Sequence, residues 1–225
     1  MKILLVGFQR SGTTLLRRMF AMHPEVKLLA HENFFLAKYP NNEKKIAQHI
    51  YNWKKVDYKK DTWGDKVPYY PNLRKIPVKR YCEKWIELYG DQARIIHIYR
   101  HPYDVAFSNE KKFKPQTFTK AINIYLKGVP RALRETFDLK EVMSFKYEEM
   151  ILDPDKIVPS MYKFCGLKEI DFREQMSKWE NKKYQTFDES RVFAYKNQKV
   201  PKINKPIDHV LKELNEKLGG PEYEV

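Results

Sequence analysis

Thirteen residues near the start, Lys2-Ile3-Leu4-Leu5-Val6-Gly7-Phe8-Gln9-Arg10-Ser11-Gly12-Thr13-Thr14, constrain the fold more than any other stretch. Ile3 to Val6 reads as a buried strand, Gly7 opens a turn, and a helix begins near Gly12. The glycines stand five apart and precede two hydroxyl residues, giving G-x-x-x-x-G-T-T. This is Walker A spacing with Thr13 in place of the lysine. Such a loop wraps backbone N–H groups around a phosphate, at a helix N-terminus whose dipole also favours negative charge. The missing lysine is the group that reaches the β- and γ-phosphates of a nucleoside triphosphate. Arg10 remains in the loop as a cation. The pattern therefore fits a phosphorylated ligand other than a nucleoside triphosphate.

Downstream, Leu15, Leu16, Met19 and Phe20 share one helical face and Arg17 and Arg18 another, until His23-Pro24 ends the helix. Val26 to Ala30 reads as a second buried strand, with His31-Glu32-Asn33 at its C-terminal end. A lysine- and tyrosine-rich stretch at 41–60 predicts one helix, around Glu43 to Trp53, and a loop. Trp63-Gly64-Asp65-Lys66-Val67-Pro68, punctuated by glycine and proline, reads as a loop. Val78, Tyr81, Cys82, Trp85, Ile86 and Tyr89 make an amphipathic helix stopped at Gly90. Arg94 to Tyr99 is a strand that turns at Arg100-His101-Pro102, and Asp104 is expected to N-cap the helix carrying Ser108. Ile122, Tyr125, Leu126, Val129 and Leu133 predict another helix, kinked at Pro130. Val142 to Tyr147 is a strand closing on Glu148-Glu149. Asp155 caps a helix that buries Ile157, Val158, Met161, Phe164 and Cys165, with Gly166 past its end. Residues 178–206 read as a basic surface segment, and Ile207, Val210, Leu211, Leu214 and Leu218 as a last amphipathic helix.

Strands alternating with helices indicate an α/β fold with a mainly parallel sheet flanked by helices. Ligands of such sheets bind at the carboxyl ends of the strands. Residues 7–14, His31-Glu32, Arg100-His101-Pro102 and Tyr147-Glu148 all fall at or beside such ends.

The 225 residues suit one domain with a full core, and 42% hydrophobic content argues against disorder. A formal charge of +14 fits a polyanionic acceptor, a phosphorylated cofactor or nucleic acid, and fits a solubilising lysine surface equally well. Cys82 and Cys165 make neither a disulfide framework nor a metal cluster, and both fall on apolar helix faces. No run of about 18 apolar residues occurs, so no membrane span is expected. With a strand beginning at residue 2, no signal peptide is expected and a cytoplasmic setting follows.

Gly7-Phe8-Gln9-Arg10-Ser11-Gly12-Thr13-Thr14-Leu15-Leu16, followed by His23-Pro24-Glu25-Val26, resembles the 5′-phosphosulfate loop of sulfotransferases. These enzymes use 3′-phosphoadenosine 5′-phosphosulfate (PAPS). Arg100-His101-Pro102-Tyr103-Asp104-Val105-Ala106-Phe107-Ser108 resembles the family's 3′-phosphate motif, with Arg and Ser eight residues apart. Asp65-Lys66-Val67-Pro68 is similar to its lysine-containing loop. Phe145-Lys146-Tyr147-Glu148-Glu149-Met150 with Asp153-Pro154 is similar to its downstream strand-and-helix block. The likeness runs in order over roughly residues 1 to 170 and is nearest the tyrosylprotein and carbohydrate branch.

The resemblance implies a P-loop NTPase-like sulfotransferase fold as one domain over 1–225, with 170–225 a basic segment and final helix able to cover the cofactor. It implies in-line transfer of a sulfuryl group from PAPS to the hydroxyl of a carbohydrate, tyrosine, other phenol or lipid, releasing adenosine 3′,5′-bisphosphate, with no metal. Backbone N–H groups of Ser11, Gly12, Thr13 and Thr14, with the threonine hydroxyls, would hold the 5′-phosphate. Arg10 and Lys66 would face the phosphosulfate, where charge grows on the leaving oxygen. Arg100 and Ser108 would clamp the 3′-phosphate. Tyr147, Lys196 and Lys199 complete the cofactor-binding candidates. Glu32 stands where related enzymes place a general base, while the adjacent His31 has the better intrinsic pKa. Neighbours at a strand end point opposite ways, so one of the two faces the acceptor, and Glu32 is favoured; pairing with Arg17 or Arg18 is its structural alternative. A P-loop kinase would need the lysine that Thr13 replaces. A nucleic-acid-binding protein would show a helix-turn-helix, zinc-finger or RNA-binding signature, so no specific nucleic acid is expected.

Overall fold

In the computed structural model, which describes residues 1–28, 62–69, 78–113, 117–178, 187–203 and 207–224, the opening apolar run becomes the central strand of a sheet. In chain order the elements are β1 (Lys2–Phe8), α1 (Thr13–Met22), β2 (Val26–Leu28), β3 (Thr62–Tyr69), α2 (Val78–Tyr89), β4 (Ala93–Tyr99), α3 (Pro102–Lys112) and α4 (Phe118–Thr136). They continue with β5 (Val142–Lys146), α5 (Tyr147–Leu152), α6 (Pro154–Phe164), α7 (Phe172–Ser177) and α8 (Asp208–Leu218). The five strands lie in the order β2-β3-β1-β4-β5, and every neighbouring pair is parallel.

A parallel sheet must be covered on both faces, and the period of two along β1 feeds both. Leu4, Val6 and Phe8 join a core with Trp85 of α2, Tyr125 and Val129 of α4, and Leu211 of α8. Ile3 and Leu5 join the opposite core with Leu16 and Phe20 of α1 and Val158 and Met161 of α6. Cys82 and Cys165 are buried free thiols, one in each core. Among the described residues, no helix is long and apolar enough to cross a membrane.

The stretch read as a loop at 63–68 is β3, hydrogen-bonded between β1 and β2. Pairing on both sides overrides the weak local preference, and Pro68 sits at the penultimate position, opposite Gly7. The helix after β4 starts at Pro102 and is capped by His101, whose Nδ1 accepts the Tyr103 N–H at 3.3 Å; Asp104 is therefore inside the first turn and is not the cap. Likewise Asp153, followed by Pro154, stands at the start of α6, and Asp155 binds Arg173 at 2.7 Å. β5 stops at Lys146, because the Glu149 carboxylate accepts the Lys146 N–H at 3.1 Å and opens α5 there. The basic segment is not simply a surface loop: its described part has 3₁₀ turns at Glu189–Arg191 and Ala194–Asn197, and Tyr195 is buried. The end of the second strand, the helix expected at 43–53, and His31 and Glu32 lie outside the described residues.

Candidate functional site

The turn after β1 is closed tightly. A Cβ on Gly7 would lie 2.7 Å from side-chain carbons of both Ile98 and Thr13, so β4 and α1 meet over it. The chain reverses through Arg10 (φ 72°) and Gly12 (φ 97°), and the Ser11 N–H donates to the Phe8 carbonyl at 3.0 Å. Arg10 holds a left-handed conformation that side chains disfavour. A side chain at position 12 would run into the Tyr147 ring.

Helix α1 has no side-chain cap and no acidic residue in its first turn. Its hydrogen-bond ladder begins with the Leu16 N–H on the Gly12 carbonyl at 3.0 Å, so the N–H groups of Thr13, Thr14 and Leu15 have no partner within the helix. The Ser11 side chain beside them is fully buried, and its hydroxyl has no hydrogen-bond partner. An orphaned hydroxyl next to a positive helix end fits an anion's oxygens.

Arg100, at the end of β4, reaches back to this loop. Its guanidinium donates to the Arg10 carbonyl at 3.3 Å and to the Arg191 carbonyl at 2.7 Å, and lies 4.5 Å over the Tyr147 ring. Its Nε is buried without a partner. In turn the Arg10 Nε donates to the Ser108 hydroxyl at 2.8 Å. Since α3 starts at Pro102, Ser108 is about two turns into it and still meets the loop. Lys66 is 3% exposed on β3, opposite Leu5, and its ammonium donates to the Thr14 hydroxyl at 3.2 Å. Arg10, Ser11, Gly12, Thr13, Thr14, Lys66, Arg100, Ser108 and Tyr147 thus form one constellation, although they come from four separate stretches. Tyr147 is buried under Arg100 and against Gly12, so it acts as a support for the cation. Lys196 is exposed and engages Glu224 at 2.6 Å, while Lys199 is exposed.

Several residues here have roles that the sequence did not indicate. The buried Asp104 accepts the Tyr195 N–H at 2.9 Å and stands 3.7 Å from the Arg100 guanidinium. Burial raises its carboxyl, against the pull of Arg100 and of the main-chain donors at Tyr195 and Phe193. The Tyr195 ring stacks on His101 at 4.2 Å and 8°. Burial pushes His101 down to about 3, so the imidazole stays neutral and its Nδ1 is free to cap α3. A legible hint was aromatic: Phe193 and Tyr195 are two of the five aromatic residues in the segment at 178–206. Among the described residues, no group of three or more His, Cys, Asp or Glu is placed to hold a metal ion.

Compared with protein families, residues 1–210 match the family described as a sulfotransferase domain. Compared with curated proteins, the sequence matches none. Among solved structures, the sulfotransferase domain from the curacin biosynthetic pathway is 17% identical, with a TM-score of 0.69 over 96% of this chain and 98% of that one. A mouse sulfotransferase complexed with PAP is 19% identical, with a TM-score of 0.57 over 96% of this chain and 84% of that one. Retinol dehydratase in complex with retinol and PAP is 12% identical, with a TM-score of 0.53 over the whole of this chain and 83% of that one. At these identities the structural likeness carries the fold.

Proposed function

This chain belongs to the sulfotransferase family and is a PAPS-dependent sulfotransferase, and we propose that the loop at 7–14, Lys66 and the Arg100–Ser108 pair are the machinery by which it works. The observation that supports this reading best is the contact between two stretches some ninety residues apart: Arg10 on Ser108 at 2.8 Å, and Arg100 on the Arg10 carbonyl at 3.3 Å. A phosphate cradle is thereby joined to a second anion clamp, which suits a nucleotide phosphorylated at both its 5′ and 3′ positions. The orphaned Ser11 hydroxyl and Arg100 Nε fit such a ligand.

When bound, PAPS supplies the sulfuryl group and is left as adenosine 3′,5′-bisphosphate. The N–H groups of Thr13 and Thr14 and the Ser11 hydroxyl hold the 5′-phosphate in this reading, with no γ-phosphate to require a loop lysine. Lys66 and Arg10 place positive charge where the leaving oxygen gains negative charge. Arg100 and Ser108 hold the 3′-phosphate. Isothermal titration tests the assignment. Adenosine 3′,5′-bisphosphate is expected to bind without Mg²⁺, and a preference for Mg·ATP would return the chain to the kinases.

The acceptor is a hydroxyl-bearing compound, and the net charge of +14 favours an anionic one or a carbohydrate. Screening transfer onto sugars, phenols, lipids and tyrosine peptides distinguishes the classes. Glu32 is the proposed base, with His31 second. Glu32→Gln should leave bisphosphate affinity unchanged and lower kcat by about 10²- to 10⁴-fold. Full turnover in that variant would move the role to His31.

A further inference from the structure

The peptide unit joining Arg100 to His101 is held at both ends by side chains. The Arg100 carbonyl accepts the Tyr125 hydroxyl at 2.5 Å, and the His101 N–H donates to Glu148 Oε1 at 3.0 Å. Glu148 is fully buried, and its other oxygen accepts the Tyr223 hydroxyl at 2.7 Å. The clamp arginine is therefore positioned through a carboxylate that itself never meets the loop.

Tyr223 belongs to the tail after α8, and that tail is fastened by an unusual set of bonds. The Asn215 side chain takes both backbone groups of Tyr223, accepting its N–H at 2.9 Å and donating to its carbonyl at 3.2 Å. The fully buried Lys146 donates to Asn215 Oδ1 and to the Pro221 carbonyl, both at 2.8 Å, and lies 4.5 Å over the Tyr223 ring. Gly220, at φ 69°, lies so close to Glu149 that a Cβ would collide with that side chain. On its outer side the tail meets the basic segment. The Tyr223 ring is edge-on to His101 at 5.0 Å, and Glu224 pairs with Lys196.

We propose that Glu148 and Tyr223 are positioning residues for the 3′-phosphate clamp: the tail at 220–224 braces the Arg100–His101 peptide from behind, and so sets the guanidinium's aim. The proposal rests on the reading of Arg100 and Ser108 given above. Removing the Tyr223 hydroxyl leaves Glu148 with one donor fewer in a buried site, so its hold on the His101 N–H changes. Small displacements of an aligned group are costly in a charge-assisted clamp. A group that only supports the fold would weaken every ligand alike, whereas an aiming brace weakens only ligands that use the clamp.

The test compares adenosine 3′,5′-bisphosphate with adenosine 5′-phosphate, which lacks the 3′ group, by isothermal titration on the full chain. The wild type should prefer the bisphosphate. Tyr223→Phe should weaken bisphosphate binding by about five- to tenfold while leaving the monophosphate within about twofold. Asn215→Ala, which unclips the same tail without touching Glu148, should do likewise; if it does not fold, Tyr223→Phe decides alone. Unchanged bisphosphate affinity in Tyr223→Phe, or an equal loss for both nucleotides, overturns the brace. A wild type with no preference for the bisphosphate overturns the 3′-phosphate reading of Arg100, and the brace with it.

Discussion

Lys66→Met is expected to lower kcat by about 10²- to 10³-fold while changing the KM for PAPS by less than about threefold. The reason is the placement of the charge. Lys66 is 3% exposed on β3 and donates to the Thr14 hydroxyl at 3.2 Å, so its ammonium is fixed at the mouth of the phosphate loop before any ligand arrives. A cation held there favours the state in which the leaving oxygen carries most negative charge, which is the transition state and the product side. Methionine keeps most of the chain's bulk in the sheet and removes only the charge. Steady-state kinetics with PAPS varied separates the two quantities. A variant that loses affinity and turnover equally would show that Lys66 binds and does not assist the chemistry.

Arg100→Ala should raise the bisphosphate Kd by about 100-fold, the loss expected for a charge-assisted clamp whose partner is an anion. Its guanidinium does several things at once, besides standing 3.7 Å from the Asp104 carboxylate. It bonds the Arg10 carbonyl, bonds the Arg191 carbonyl and rests on Tyr147, leaving Nε pointing at no protein acceptor. Lysine has a point charge in place of a planar fork, so Arg100→Lys should recover little of the loss. The measurement is titration of both variants, with thermal unfolding to confirm that they fold. Near-wild-type affinity in Arg100→Lys would mean that net charge alone is used there.

The turn of the loop was legible in the sequence because a tight strand-to-helix turn needs glycine at fixed places. Gly7 admits no side chain between β4 and α1, and Gly12 combines φ 97° with the Tyr147 ring. The two cores were legible as well, from the alternation in β1 and the helical spacing of Val78 to Tyr89. β3 was not. Its pattern is interrupted by Gly64, Lys66 and Pro68. The strand is held by hydrogen bonds to two neighbours, which leave no trace in local composition. Asp104 was misread as a cap because His101 can accept the same kind of bond two residues after β4 ends. The tail was invisible for another reason. Glu148 and Tyr223 are 75 residues apart, and no periodicity connects them.

The central strand also precedes the sheet's other four described strands in the chain. β1 pairs with β3 from residue 62 and with β4 from residue 93, so neither side of it can be completed by its immediate neighbours. At ribosomal speeds of about 5–20 residues per second, some 5–20 s pass between the emergence of β1 and that of β4. Throughout that interval Leu4 and Val6, which end with 0–1% exposure, lack the Tyr125 and Val129 side chains of their core. The arrangement that puts the strand before the 7–14 loop at the middle of a sheet thus gives the nascent chain an early, sticky and unpaired segment. The order in which the strands emerge makes the site's founding strand the one that must wait.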